Sequence, residues 1–350
     1  MQLKEKTEYV DLNPDFKPLP KYGHLSTIAP EFEAIKSTVD EALAEIWSAE
    51  DVKGLRLRRG NSDAIIPPGG PDRAKEVISE FIRIPARDGH QIELKLYKSP
   101  TVQKDATLLL YMHGGGWVMG NHETNGAENV HAASHRNIVV LSVDYRLAPE
   151  WKFPHAIHDC YDALLWAKEN ASKLGIDPEK IIVGGTSAGG NLAAALALEA
   201  RDNGITGIVG QILNFPAVCH PKFFPAEKYE YGSVIQNAHA SILDIFRVEF
   251  FVNQYIPNPE PDHKHSPLLA ASHKNLPPAL INCGGLDPLR DEAFAYAEVL
   301  RESGVDVEIH SYQGLPHVFT GVAINLPQVT QFYEIFNNFL SKHAGAPPAS

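Results

Sequence analysis

The sequence predicts an α/β fold: a mostly parallel sheet of eight strands, helices on both faces and a helical cap. Two observations predict it. Short apolar or β-branched runs alternate with longer runs of helical spacing, which implies crossover connections between parallel strands. Several of the strand-like runs are apolar throughout, as expected where a strand is covered on both faces. The 350 residues are 44% apolar and 21% charged, enough to build a core and to exclude global disorder.

The first 20 residues are polar and broken by prolines, and read as surface chain. Between residues 30 and 47, Phe32, Ile35, Val39, Ala42, Leu43, Ile46 and Trp47 fall at helical spacing. Residues 60–72 form a Pro/Gly-rich connector, the best candidate boundary. Residues 80–85 and 91–97 read as strands around an Asp88-Gly89 turn. Further strands are expected at 107–112, 138–143, 180–183, 208–213, 279–283 and 305–312. Helices are expected at 157–173, 191–201, 289–303 and 329–343. Residues 215–265 interrupt the alternation with Phe223, Phe224, Tyr229, Tyr231, Phe246, Phe250, Phe251 and Tyr255, and read as a lid or a packing excursion. The expected division is an N-terminal cap segment and connector (1–70), a catalytic body (71–214 and 266–350) and a cap insertion (215–265).

Charge narrows the function classes. With 31 basic and 43 acidic residues the formal charge is -12, and no basic stripe exists to meet nucleic acid or an anionic membrane. Polyanionic substrates are disfavoured for the same reason. Cys160, Cys219 and Cys283 are too few for a disulfide framework and lack metal-ligand spacing. They are expected as reduced thiols in a reducing compartment, here the cytoplasm. Residues 1–10 lack the apolar run of a signal peptide, residues 345–350 carry no lipidation signal, and no apolar run is long enough for stable membrane insertion.

The chemistry concentrates around Gly185-Thr186-Ser187-Ala188-Gly189. A β-branched strand enters this G-x-S-x-G and an Ala-rich helix leaves it, the arrangement of a nucleophile elbow. A sharp strand-to-helix turn strains the central backbone and presents the Ser187 hydroxyl. The flanking positions must be nearly side-chain-free, and Gly185 and Gly189 are. No lysine follows where a phosphate loop needs one. Directly after the strand at 107–112 comes His113-Gly114-Gly115-Gly116-Trp117, whose glycines leave backbone N–H groups free to meet a developing oxyanion.

With these motifs the chain resembles α/β-hydrolases of the hormone-sensitive-lipase group, the bacterial family IV esterases and their fungal and plant relatives. Asp144-Tyr145-Arg146-Leu147-Ala148-Pro149-Glu150, Gly285-Leu286-Asp287-Pro288-Leu289 and Leu315-Pro316-His317 complete the match in the family's order. The resemblance implies a triad of Ser187, Asp287 and His317. Asp287 and His317 each follow a predicted strand, where active-site groups of a parallel sheet belong. Asp287 could equally cap the following helix. The competing carboxylates Asp291 and Glu292 fall inside that helix. Among 16 histidines, the pairs His155/His158 and His263/His265 have ligand-like spacing but no third ligand, and are expected to face solvent or cap helices. Two positions depart from the family. Thr186 stands where Asp is frequent, and Trp117 where Phe is frequent.

The implied reaction is ester hydrolysis through an acyl-enzyme. The amides of Gly115, Gly116 and Ala188 hold the oxyanion, His113 orients its loop, and neither metal nor cofactor takes part. The expected partner is a small-molecule ester with a short-to-medium acyl or aryl group, bound under the cap. Acyl transfer stays open. So does amide hydrolysis, because His-Gly-Gly-x-Trp is also similar to kynurenine formamidases. A non-catalytic receptor, as in the plant gibberellin receptors that resemble this family, is disfavoured because those lack a working histidine. Related hydrolases commonly dimerise, which leaves a homodimer open.

Overall fold

Strands of near-continuous Val, Ile and Leu need cover on both faces. They have it in the computed structural model, which describes residues 3–59 and 63–345. Eight strands form one sheet: β1 (Ile78–Pro85), β2 (Gln91–Lys98), β3 (Ala106–Met112), β4 (Ile138–Asp144), β5 (Ile176–Thr186), β6 (Ile208–Asn214), β7 (Ala279–Gly284) and β8 (Val307–Tyr312). Their order is β1-β2-β4-β3-β5-β6-β7-β8. The β1–β2 and β2–β4 pairs are antiparallel and the rest parallel. Alternate residues of β3 serve opposite cores. Leu108, Leu110 and Met112 pack with the helices His155–Glu169 and Ala188–Asp202, while Leu109 and Tyr111 pack with Gly126–Ser134 and Pro327–Ala344.

Several elements differ from expectation in their limits. β5 begins at Ile176, four residues before the predicted start, because Asp177-Pro178-Glu179-Lys180 hides a strand whose pairing register shifts on both sides. A proline is tolerated at such an irregularity. The expected helix over residues 30–47 is two pieces, Pro30–Glu33 and Lys36–Trp47, because Ile35 donates to Phe32 O rather than one residue further back. The expected helix over 157–173 divides at Asn170, into His155–Glu169 and Ala171–Leu174. Unpredicted α-helices among the described residues include Val52–Arg59, Gly126–Ser134 and Ile245–Tyr255, besides the single turns Arg73–Glu76 and Ser233–Gln236. Gly126–Ser134 buries all of its residues but the last, so it has no polar face to betray its period. The connector expected over 60–72 lies partly, and the terminal signals at 1–2 and 346–350 wholly, outside the described residues. Among the described residues no helix is long and apolar enough to cross a membrane.

The N-terminal segment binds the body at several places, two of which bear on the site. Ala29 N donates to Gly314 O and Gly314 N to Leu25 O, while Ser26 Oγ donates to Gly285 O. Further on, the Arg56 guanidinium donates to Val118 O (2.6 Å), Ala148 O (2.7 Å) and the Glu150 carboxylate (2.9 and 2.8 Å). Removing that fork strands two carbonyls. Arg56→Ala is expected to cost about 1–3 kcal/mol, with Arg56→Lys recovering only part because an ammonium cannot span three acceptors. Urea midpoints of the three proteins test this. An Ala variant as stable as the parent would show the clamp to be idle.

Candidate active site

Strand β5 ends at Thr186 and the helix Ala188–Asp202 begins one residue after Ser187, so the chain must reverse at Ser187 itself. It does so at φ 57°, ψ -117°, a left-handed backbone that side chains rarely adopt. Space explains the two glycines. A Cβ on Gly185 would lie 2.3 Å from the Gly189 carbonyl, and one on Gly189 would lie 2.0 Å from Met112 O. The second clash is with neighbouring β3, not only with the elbow.

The loops after β7 and β8 bring the other two predicted residues to Ser187. His317 Nε2 lies 2.9 Å from Ser187 Oγ, and His317 Nδ1 lies 2.6 Å from Asp287 Oδ2. Asp287 is fully buried, and its second oxygen accepts from Leu289 N at 2.8 Å. It therefore meets His317 and closes an Asx turn ahead of the helix Arg290–Glu302, whose own N-cap position is Leu289. Among the described residues no protein acceptor takes the amides of Gly115, Gly116 or Ala188. All three residues line, with Ser187 and His317, a cavity of about 360 Å³. Gly115 and Gly116 have φ of 122° and 61°, and the space above Gly116 is filled by Phe251.

Leu43, Ile46 and Trp47 from the N-terminal helix and Val248, Phe251 and Val252 from the helix Ile245–Tyr255 wall the cavity. Of the eight aromatics singled out in residues 215–265, only Phe251 reaches it. Tyr255 stacks on Trp117, and Phe224 stacks on Tyr231 at 3.9 Å between ring centroids. The Thr186 hydroxyl is bound to Tyr111 OH at 2.8 Å. His113 points away from the serine: its ring stacks on Tyr145 and its Nδ1 donates to Gly114 O.

Of the other histidines singled out in the sequence, His155, His158 and His263 do not line the cavity and His265 does. His263 Nε2 meets Glu199 at 3.0 Å, and His155 Nδ1 donates to Lys152 O. His265 corrects the expectation of a solvent-facing or helix-capping group. It is buried, with Nε2 donating to Glu260 O, because 215–265 folds back over it.

Residues outside the predicted triad complete the support. Asn237 Nδ2 donates to the Asp287 carbonyl, and Arg290 Nη1 to Ser26 Oγ. Asp291 accepts from the amides of Gly232 and Ser233, and Glu292 from those of Val218 and Cys219. Burial pushes the Glu292 carboxyl up to about 8, against the lowering pull of those two amides.

Residues 109–321 match a family described as alpha/beta hydrolase fold. The chain belongs to that family, on its hormone-sensitive-lipase-like branch. Esterase LipI of Mycobacterium tuberculosis (strain ATCC 25618 / H37Rv) is 38% identical over 69% of this chain and 74% of its own length. An arylesterase of Saccharolobus solfataricus is 38% identical over 69% of this chain and 78% of its own. The crystal structure of vibralactone cyclase superposes with a TM-score of 0.77 at 30% identity, covering 92% of this chain and 96% of that one. This α/β-hydrolase is a carboxylesterase-type enzyme.

Glu292 also gives a pH test. Its folded-state pKa stands above the unfolded value, so its contribution to stability is complete below about pH 4.5 and erodes as pH rises towards 8. Glu292→Gln keeps an acceptor for the two amides and removes the titration. The variant is expected to gain stability relative to the parent between about pH 5 and about pH 9. A difference in urea midpoint that stays flat over that range would refute the assignment.

Proposed function

We propose that this enzyme hydrolyses short-to-medium acyl or aryl esters by two-step acyl transfer. Ser187 attacks the ester carbonyl while His317 takes its proton, and Asp287 holds the imidazole tautomer and stabilises its charged form. The amides of Gly115, Gly116 and Ala188 receive the oxyanion, each such donor contributing about 2.7–4 kcal/mol in the transition state. His317 then protonates the leaving alcohol, and water repeats the cycle on the acyl-enzyme. The observation that carries this reading is the unbroken row Asp287–His317–Ser187, at 2.6 and 2.9 Å, opening beside free amides into one apolar-walled cavity.

The cap in this reading is residues 1–70 with 215–265, since both segments supply cavity wall. Aliphatic side chains outnumber aromatic ones there, which favours an acyl chain over a flat ring system as the usual occupant. Three buried free thiols, Cys160, Cys219 and Cys283, support action in a reducing cytoplasm. The likeness to a cyclase keeps a second reading, acyl transfer to an alcohol instead of water, which uses the same groups up to the acyl-enzyme. An imidazole within hydrogen-bonding reach of Ser187 weighs against a non-catalytic receptor.

Saturable hydrolysis of p-nitrophenyl butyrate is expected, falling by at least about a thousandfold in Ser187→Ala. The butyrate and octanoate esters are expected to outpace the palmitate ester, given a cavity near the small end of the ligand range. Undiminished hydrolysis in the alanine variant would overturn the assignment of Ser187. Added methanol that diverts product to the methyl ester without slowing p-nitrophenol release would favour acyl transfer.

A further inference from the structure

A second cluster lies behind the loop that carries Gly114–Gly116, at the antiparallel end of the sheet. Glu93 of β2 and Asp144 of β4 are direct cross-strand partners. Two carboxylates facing each other this way repel unless something positive sits between them. The His122 ring completes a trio whose ligand-type atoms all lie within 4.8 Å of one another. His113 joins from the other side, its Nε2 3.7 Å from Asp144 Oδ1.

Both imidazoles are held at Nδ1 by an outer partner. His113 Nδ1 donates to Gly114 O at 2.7 Å, and a carbonyl can only accept, so this ring carries its proton on Nδ1. His122 Nδ1 lies 2.9 Å from Ser142 Oγ, a hydroxyl that can donate to or accept from the ring. The Nε2 atoms of His113 and His122 are buried without a hydrogen-bond partner, on residues only 1% and 5% exposed. An imidazole whose far nitrogen is fixed by an outer partner, with its near nitrogen bare, is the arrangement of a metal-bound histidine.

We propose that His113, His122, Glu93 and Asp144 bind one divalent transition-metal ion of the zinc class, at a site separate from the ester chemistry. Two imidazole nitrogens with two carboxylate oxygens suit zinc and its borderline neighbours better than calcium or magnesium, which take oxygen donors. Tetrahedral zinc places its ligand atoms about 3.3 Å apart, so the trio Glu93, His122 and Asp144 must contract by about 1.5 Å at its widest, and His113, which lies outside that trio and within 3.7 Å of Asp144 alone, must approach as well. The carboxylates can supply that movement because Glu93 and Asp144 are partly exposed. Glu93 gives up only an exposed contact with Arg83, at 3.1 Å. The ion would tie the oxyanion loop, through His113, to the β2–β4 ladder.

Titration of the purified, chelator-stripped protein with Co²⁺ tests the site, followed by the visible absorption that tetrahedral cobalt acquires, with zinc displacing it. One equivalent is expected to bind, together with a rise in melting temperature. Glu93→Gln, a change at a half-buried strand position that spares the fold, is expected to weaken uptake at least about tenfold. His122→Ala is expected to abolish it, and His155→Ala to leave it unchanged. Absence of stoichiometric uptake would overturn the proposal and assign the His113–Asp144 contact to a shared proton. Uptake that survives both Glu93→Gln and His122→Ala would overturn it in favour of scattered surface histidines. Hydrolysis of p-nitrophenyl butyrate by the stripped protein separates this site from the reaction, since the triad needs no ion.

Discussion

The close approach of Gly189 to the carbonyl of Met112 governs the arrangement around Ser187. No Cβ fits between them, so the helix Ala188–Asp202 can start directly against the end of β3. That start forces Ser187 into its left-handed backbone, a strain of order 1–3 kcal/mol that only dense surrounding packing sustains. The packing is present: twelve residues of that helix are buried, most of them alanine or leucine. The same approach places the free amide of Ala188, at a helix N-terminus, beside Gly115 and Gly116 after β3. The proposed nucleophile and oxyanion donors thus share one structural cause, and in that mechanism the helix dipole would add to the donors' effect on developing negative charge.

The turn after β7 does for the acid what the elbow does for the serine, and more. Asp287, Asp291 and Glu292 stand within six residues and face three ways. Asp287 meets His317, Asp291 gathers the amides of Gly232 and Ser233, and Glu292 those of Val218 and Cys219. Arg290 between them reaches Ser26 and Gly285 O. One helical turn therefore aligns the imidazole, anchors both ends of the 218–233 stretch and fastens the N-terminal segment. Two of these carboxylates look like rivals for the acid's role when read along the chain. Inside the helix they cannot reach His317, and the backbone amides that point at them from the insertion explain why they are acidic.

How much of this was legible depended on whether a residue's neighbours in sequence were also its neighbours in space. The strands showed themselves because apolar runs and their turns are local, and Ser187 because strand, glycines and helix are contiguous. Asp287 and His317 needed the resemblance, since position after a strand does not choose one histidine from 16. The helix Gly126–Ser134 was invisible because burial on every side erases period, and the early start of β5 because Pro178 and its charged neighbours imitate a loop. Among the insertion's aromatics, Phe250 and Phe251 are adjacent and chemically identical, yet only the latter lines the cavity. Helix phase decides that, and helix phase is set by packing against Trp47 and Gly116, far away in the chain.

Phe251 carries the argument one step further. Its ring occupies the space where a side chain at position 116 would stand, 2.2 Å from that imagined Cβ, and it also forms part of the acyl wall. Tyr255, one turn along the same helix, stacks on Trp117 at 4.9 Å between ring centroids. The helix Ile245–Tyr255 is thus both a wall of the cavity and the backing of the loop that carries the proposed oxyanion donors. Any acyl group that displaces this helix also disturbs the amides of Gly115 and Gly116. In the proposed mechanism, binding energy from the chain, remote from the reacting carbonyl, would thereby be coupled to transition-state stabilisation rather than to ground-state affinity alone. In such a site the fit of the acyl group is felt in the chemical step.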